Sequence, residues 1–192
     1  MWSSSRSSSW TIERSVWSLI SAVTEVDDGG VLGVDDAELE LGYDAPMSSA
    51  TARIVIERPI EDVFAVLTNV ENTGRWFPVD VEEHWTSAAP HGLGSTRRAR
   101  TRMLGRVAEN DAVVTEYDPP RRAAMRGTTP NAPFAATLEF APAETGTQVS
   151  MTTVFDFRGA MRLLGPPFAR WYGGACTKGL ANLKRMMEAG EV

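Results

Sequence analysis

The stretch TRRARTRMLGRVAENDAVV, residues 96–114, alternates polar side chains with small or apolar ones on both sides of Leu104-Gly105. A period of two predicts β-strands, and a two-residue connection that contains glycine predicts a hairpin. In that hairpin the numbers of opposed residues sum to 209, which predicts two opposite-charge pairs, Arg98–Asp111 and Arg100–Glu109. These pairs indicate the solvent face. The inward face is then formed by Ala99, Thr101, Met103, Ala108, Ala112 and Val114.

Runs with the same period continue on both sides of this hairpin. They are separated by short connections rich in glycine and proline, so neighbouring strands are expected to pair antiparallel. The sequence therefore predicts a sheet of about seven strands, at residues 52–58, 79–86, 95–103, 106–117, 121–128, 134–141 and 147–157.

Helical signals flank this β region. Pro59 suits the first turn of a helix, and Asn69 can cap a second short helix that ends before Pro78. After the break at Pro166-Pro167, the apolar period changes to 3.6. This predicts a C-terminal helix of about twenty residues. Its apolar stripe consists of Phe168, Trp171, Tyr172, Ala175, Gly179, Leu183, Met186 and Met187.

The charge of the chain is unevenly distributed. Residues 1–46 carry two basic and nine acidic residues, a net charge of −7, whereas residues 47–192 carry seventeen basic and sixteen acidic residues, or +1. The near-neutral part lacks the positive field that nucleic-acid binding needs. Residues 1–48 are expected to be a disordered acidic extension. Because Met47 directly precedes the first predicted strand, we also expect it to be the natural start.

Composition argues against a membrane-spanning, a disulfide-bonded and a metal-binding protein. No apolar run approaches the 18 residues of a membrane span, so stable membrane insertion is not expected. The single cysteine, Cys176, excludes an intrachain disulfide, and the two histidines give no metal-ligand spacing with it. These features favour a cytoplasmic protein without metal or cofactor. A monomer or homodimer is expected.

The order of elements resembles the helix-grip fold of the SRPBCC superfamily, which includes START-like, birch-pollen-allergen-like and polyketide cyclase/dehydrase proteins. Six short motifs carry the resemblance over about residues 50–190: IERPIEDVFAVL (56–67), NVEN (69–72), WFP (76–78), GLG (92–94), EYDPPR (116–121) and LANLK (180–184). The resemblance implies an α+β fold in which a curved sheet grips the terminal helix. It also implies a cavity for a small hydrophobic molecule, such as a lipid, a polyketide or a related aromatic or isoprenoid compound.

Strand register extends the prediction to individual cavity residues. Continuing past the turn at residues 118–121 places Val114 opposite Met125 and Glu116 opposite Ala123, all facing inward. Thr101, Glu116, Thr153 and Tyr172 are the candidate polar anchors. The complete set of candidate ligand-binding residues is Trp85, Thr101, Met103, Val114, Glu116, Met125, Phe134, Leu138, Met151, Thr153, Phe155, Trp171 and Tyr172.

No catalytic constellation emerges from the sequence. Glu116 is the best-placed acid–base group, while His84 falls on the outer alternation, His91 lies in a loop and Cys176 is expected to be a small buried residue. The arginines of the hairpin strand, Arg97, Arg98, Arg100 and Arg102, are interpreted as a solvated face. Three functions remain, in this order: a ligand carrier, a polyketide cyclase or dehydratase, and a protein-interaction module.

Overall fold

A computed structural model describes residues 48–103, 106–129 and 132–192, except for the side chains of Met103 and Arg106. Apart from Ser48, the acidic segment predicted to be disordered lies outside these ranges. The predicted natural start at Met47 lies outside them too.

Seven antiparallel strands form one curled sheet in the order β1-β7-β6-β5-β4-β3-β2, as the alternation predicts. All sequence neighbours from β2 to β7 pair directly, and the turns between them are short except for the connection at residues 86–95. The first strand instead pairs with the last. The strands are β1 (Ser48–Ile56), β2 (Asp80–Trp85), β3 (Thr96–Met103), β4 (Arg106–Asp118), β5 (Arg122–Thr128), β6 (Pro133–Ala143) and β7 (Gly146–Phe155).

The register predicted for the β3–β4 hairpin is confirmed. Arg98 opposes Asp111 with Nε 2.7 Å from Oδ1, and Arg100 opposes Glu109 with Nε 3.7 Å from Oε1. Both pairs are exposed, so this face of the hairpin is the solvent face.

The register predicted for β4–β5 is confirmed at Val114, which opposes Met125, but is wrong beyond it. A bulge between Val114 and Glu116 shifts the pairing by one residue, so Glu116 opposes Ala124 and not Ala123. A one-residue shift moves every following side chain to the other face of a strand. Tyr117 therefore takes the inward position that was predicted for Glu116.

Two short helices follow β1, as predicted: α1 (Ile60–Thr68) and, after a 3-10 turn at Val70–Asn72, the single turn α2 (Thr73–Trp76). The Asn69 side chain caps the 3-10 turn by accepting a hydrogen bond from the Glu71 backbone N–H at 3.2 Å. These elements close one side of the space above the sheet.

The C-terminal helix α3 (Gly165–Ala189) has 25 residues and follows a 3-10 segment, Gly159–Leu164. It begins before Pro166-Pro167, which was predicted to break the chain. Both prolines lie in its first turn, where a missing N–H costs no intrahelical hydrogen bond. A Cβ at Gly179 would lie 3.0 Å from Cζ3 of Trp76, so the absence of a side chain there lets the helix approach α2 closely.

Candidate functional site

A cavity of about 290 Å³ lies between the inner face of the sheet, α1, α2 and the first half of α3. Small residues on neighbouring strands, including Ala99, Ala123 and Ala136, form part of its wall. Their short side chains cannot reach across the space that the curled sheet encloses. The cavity is therefore a consequence of small residues on the concave face of the sheet.

Ten of the thirteen predicted ligand-binding residues line this cavity. Aromatic side chains come from four different elements, so the walls are largely apolar on all sides. The ten residues are Trp85, Thr101, Val114, Met125, Phe134, Leu138, Met151, Phe155, Trp171 and Tyr172. Two of the other three, Glu116 and Thr153, do not line it, and the side chain of Met103 is outside the described part of the chain.

The prediction of Glu116 as a polar anchor of the cavity is wrong, because the bulge turns its side chain to the outer face. Its Oε2 accepts a hydrogen bond from Nε of Arg122 at 2.9 Å, and Arg122 also donates to Oε1 of Glu139 at 2.7 Å. The Glu116 side chain is 45% exposed. It therefore belongs to a surface ion-pair network and not to the cavity, which also removes the acid–base role that the sequence suggested.

Thr153 is on the inner face, as predicted, but it is only 2% exposed and its side chain interacts with that of Tyr172. Burial raises the pKa of the Tyr172 phenol above its ordinary value, and burial likewise raises the pKa of the nearby Cys176 thiol to about 11. Both groups are therefore neutral near pH 7. They can donate or accept hydrogen bonds here, but neither is an anionic nucleophile or base.

A buried ion pair is the main polar feature of the cavity. Nε of Arg97 on β3 lies 2.8 Å from Oε1 of Glu83 on β2, and the two side chains are only 7% and 9% exposed. Both residues line the cavity. The interpretation of Arg97 as part of a solvated face is therefore wrong.

Three further contacts hold the Arg97 guanidinium. Nη1 donates to Oδ1 of Asn110 at 2.8 Å, and Nη2 contacts the Met125 sulfur at 3.4 Å. The Cζ atom lies 5.7 Å from the centre of the Phe134 ring, which is within cation–π range. These partners come from β4, β5 and β6, so the sheet itself positions the guanidinium.

The alternation could have revealed this pair. Arg97 is in phase with Ala99 and Thr101, both predicted to face inward, and Glu83 is in phase with Trp85. Charged side chains are rarely buried unless they are paired, so Arg97 was predicted to face solvent although it lies on the inward alternation. The signal that was overlooked is that two opposite charges fall on the inner phase of adjacent strands.

Trp85, which opposes Arg97 in the β2–β3 pairing, contacts the loop before β3. Its ring stacks on the His91 imidazole, with the centroids 4.3 Å apart and an interplanar angle of 12°. The Nδ1 atom of His91 is buried and has no hydrogen-bond partner among the described residues. His91 thus covers a cavity-lining residue, whereas His84 is exposed on the outer face, as predicted.

Aromatic rings crowd the wall on the helix side. Phe155 packs edge-on against Phe168 at 5.0 Å and against Tyr172 at 5.1 Å, and Phe134 lies 6.3 Å from Phe155. Phe134 therefore links the guanidinium to this aromatic cluster. A molecule in the cavity would meet flat apolar surfaces together with the fixed Arg97 guanidinium.

Within the described ranges, no three His, Cys, Asp or Glu side chains are grouped as a metal site would require. The helices of the same ranges include none that is both long enough and apolar enough to span a bilayer.

Solved structures with the same fold come from distant proteins. TTHA0849 from Thermus thermophilus matches with a TM-score of 0.61 at 17% identity, over 75% of this chain and 99% of that one. CV1439 from Chromobacterium violaceum gives 0.58 at 15% identity, over 72% and 96%. Ara h 8.0201 gives 0.59 at 11% identity, over 74% and 99%. No curated protein matches the chain significantly.

The fold and these likenesses agree with the resemblance drawn from the six motifs. The model of one family, described as polyketide cyclase/dehydrase and lipid transport, matches residues 47–188. The chain therefore belongs to the polyketide cyclase/dehydrase and lipid transport family of the SRPBCC superfamily.

Proposed function

We propose that this protein binds a small hydrophobic molecule in the cavity between the sheet and α3. The observation that carries the proposal is a space of about 290 Å³ with aromatic walls, in a region where a protein core is normally filled. Pockets of roughly 300 Å³ and above are typical ligand sites. The family to which the chain belongs includes lipid-transport proteins, which supports the same conclusion.

The energy available from such binding is moderate. Burying about 300 Å² of apolar ligand surface at roughly 25 cal/mol/Å² yields about 7 kcal/mol, against an association cost of at least about 4 kcal/mol. Apolar contact alone therefore gives weak binding. A selective carrier needs a polar contact as well.

A cyclase or dehydratase is the second candidate, because Glu83 places a carboxylate in the cavity wall. That carboxylate is already paired with Arg97 at 2.8 Å, and Tyr172 and Cys176 are held neutral by burial. A group with these restraints is better suited to holding a ligand than to removing its proton. We therefore place the carrier function first.

We extend the proposal to the whole chain. The unit that binds ligand is residues 50–190, and the acidic segment before it is an extension. The protein acts in the cytoplasm, which agrees with a single cysteine, Cys176, that is buried and forms no disulfide. Its proposed state is a monomer or homodimer.

Native mass spectrometry of the protein from its own host tests the proposal directly. A bound small molecule, released on denaturation, is the expected result. Ala136→Phe fills the cavity and should abolish this extra mass, whereas Ala135→Phe, on the opposite face of β6, should retain it. The carrier proposal fails if both variants retain the extra mass equally, or if the native protein carries and accepts no apolar ligand.

A further inference from the structure

We propose that Arg97 is the polar anchor of the cavity, and that the ligand is a compact, uncharged ring molecule that presents a carbonyl-type oxygen to it. The inference rests on the proposed binding function and specifies its ligand class. It depends on which hydrogen-bond donors of the guanidinium are used, on the net charge of the site and on the size of the cavity.

The donors of Arg97 are incompletely used. A guanidinium has five N–H groups. Hydrogen bonds among the described residues use two of them, from Nη1 to Asn110 and from Nη2 to the sulfur of Met125. The Nε atom lies 2.8 Å from Oε1 of Glu83 as an ion pair, but it is buried without a hydrogen-bond partner among the described residues. A thioether is a weak acceptor, so the contact with Met125 is easily replaced. The remaining N–H groups belong to a side chain that is 7% exposed and lines the cavity.

The chemistry of burial makes an acceptor from the ligand valuable. A buried donor without a good acceptor carries a desolvation penalty, which a ligand oxygen at hydrogen-bond distance removes. A ligand without such an oxygen would cover the guanidinium and leave that penalty in place. The cavity should therefore discriminate between molecules of the same shape that differ by one oxygen.

Charge decides between a neutral and an anionic acceptor. Glu83 already neutralises Arg97 at 2.8 Å, so the pair has no net charge to offer a ligand carboxylate. A second carboxylate would also lie close to Glu83 in a poorly solvated space, where like charges repel strongly. A ketone, ester or similar neutral carbonyl accepts the same hydrogen bonds without this repulsion.

Size and shape restrict the rest of the molecule. A cavity of about 290 Å³ lies at the small end of the range of ligand pockets, which suits a few fused rings better than a long acyl chain. Trp85 opposes Arg97 in the β2–β3 pairing and Phe134 lies next to the guanidinium, and both rings line the cavity as apolar surfaces for a ligand ring.

Three probes that share one rigid tricyclic ring system test the inference: fluorene, 9-fluorenone and fluorene-9-carboxylate. Their dissociation constants are measured by NMR titration at pH 7.5 on the full chain. We expect fluorenone to bind at least about tenfold more tightly than fluorene, as hydrogen bonds from charged donors typically give. The carboxylate should bind no more tightly than fluorenone.

The matched variants replace one ion pair each. Glu83→Leu with Arg97→Met should reduce the fluorenone-to-fluorene preference to about one, because the donor is gone. Arg98→Met with Asp111→Leu makes the same change at an exposed pair and should leave the preference intact. Removing both partners avoids leaving a lone buried charge, so the inner variant is expected to fold.

The outcomes separate this inference from the proposed function. Equal affinity of fluorene and fluorenone for the native protein would overturn the anchor and leave the cavity function standing. A carboxylate that binds more tightly than fluorenone would overturn the neutral ligand class. Retention of the preference in the inner variant would remove Arg97 from the site. If no probe binds the native protein, the cavity function and the anchor both fail.

Discussion

Replacing Arg97 with methionine is expected to destabilise the fold strongly, although the same replacement at Arg98 is not. The two arginines are neighbours on β3, and each has an acidic partner on an adjacent strand at nearly the same distance, 2.8 Å for Arg97–Glu83 and 2.7 Å for Arg98–Asp111. Their environments differ. The side chains of the first pair are 7% and 9% exposed, whereas those of the second are 49% and 65% exposed.

The exposure of each ion pair determines how much free energy of unfolding its variant loses. Arg97→Met leaves the Glu83 carboxylate buried without a partner, and removing one member of a buried pair typically costs about 3–5 kcal/mol. Because a change of 1 kcal/mol shifts the melting temperature by about 2–4 °C in a chain of this size, the loss is on the order of 10 °C. At Arg98 the freed Asp111 is solvated, so the change should be small. Glu83→Leu combined with Arg97→Met should recover most of the loss.

Urea unfolding followed by tryptophan fluorescence and by far-UV circular dichroism measures these free energies, and the double-mutant cycle gives the coupling between Arg97 and Glu83. If Arg97→Met loses no more stability than Arg98→Met, water reaches Glu83 and the pair is not buried as described. A double variant as unstable as the single one would show instead that the ion pair itself stabilises the fold, contrary to this reasoning.

Three further predictions follow from the same contacts. Glu116→Gln should leave the affinity for fluorenone unchanged, because Glu116 pairs with Arg122 on the outer face; a loss of affinity would place this carboxylate in the cavity. Iodoacetamide should label Cys176 at pH 8 at least about a hundredfold more slowly in the native protein than in the urea-unfolded protein, because the thiol is buried and its pKa is raised to about 11. Mass spectrometry measures the labelling rate, and comparable rates in the two states would contradict the burial. Gly174→Ala should stabilise α3 by about 0.5–1 kcal/mol, because its Cβ would meet open space. Gly179→Ala should increase the stability less, because its Cβ would press on Trp76. Equal shifts in the melting temperature of the two variants would refute the close approach of α3 to Trp76.

The sheet was predictable because alternation and turn length determine strand pairing. The β3–β4 register followed from one two-residue connection and held for every pair from Thr96 to Met103. The prediction failed at the bulge before Glu116, since one extra residue in a strand leaves no mark on composition and reverses all faces after it. The Tyr117 ring, which the bulge turns inward, packs edge-on against Phe64 at 5.4 Å, a tertiary contact that local sequence does not specify.

The apolar part of the cavity was predictable for the same reason, and its polar part was not. Residues such as Met125, Phe134 and Leu138 follow the inner alternation and line the cavity. Arg97 and Glu83 follow it too, but a charge on an inner phase has two interpretations, an edge that reaches solvent or a buried pair. Only the pairing of β2 with β3, which brings their side chains together, decides between them.

The difference between the apolar and the polar part of the cavity affects how ligands can be assigned to proteins of this fold. At 11–17% identity the structural neighbours share the architecture, but a shared fold does not specify the groups that line a site. Apolar walls alone accept many molecules weakly, because the hydrophobic effect has no direction. The neutralised Arg97–Glu83 pair adds direction, since it rewards an acceptor at one place and disfavours a charge there. The choice of ligand is therefore expected to depend on this pair, and a homologue without it should bind different molecules in the same space.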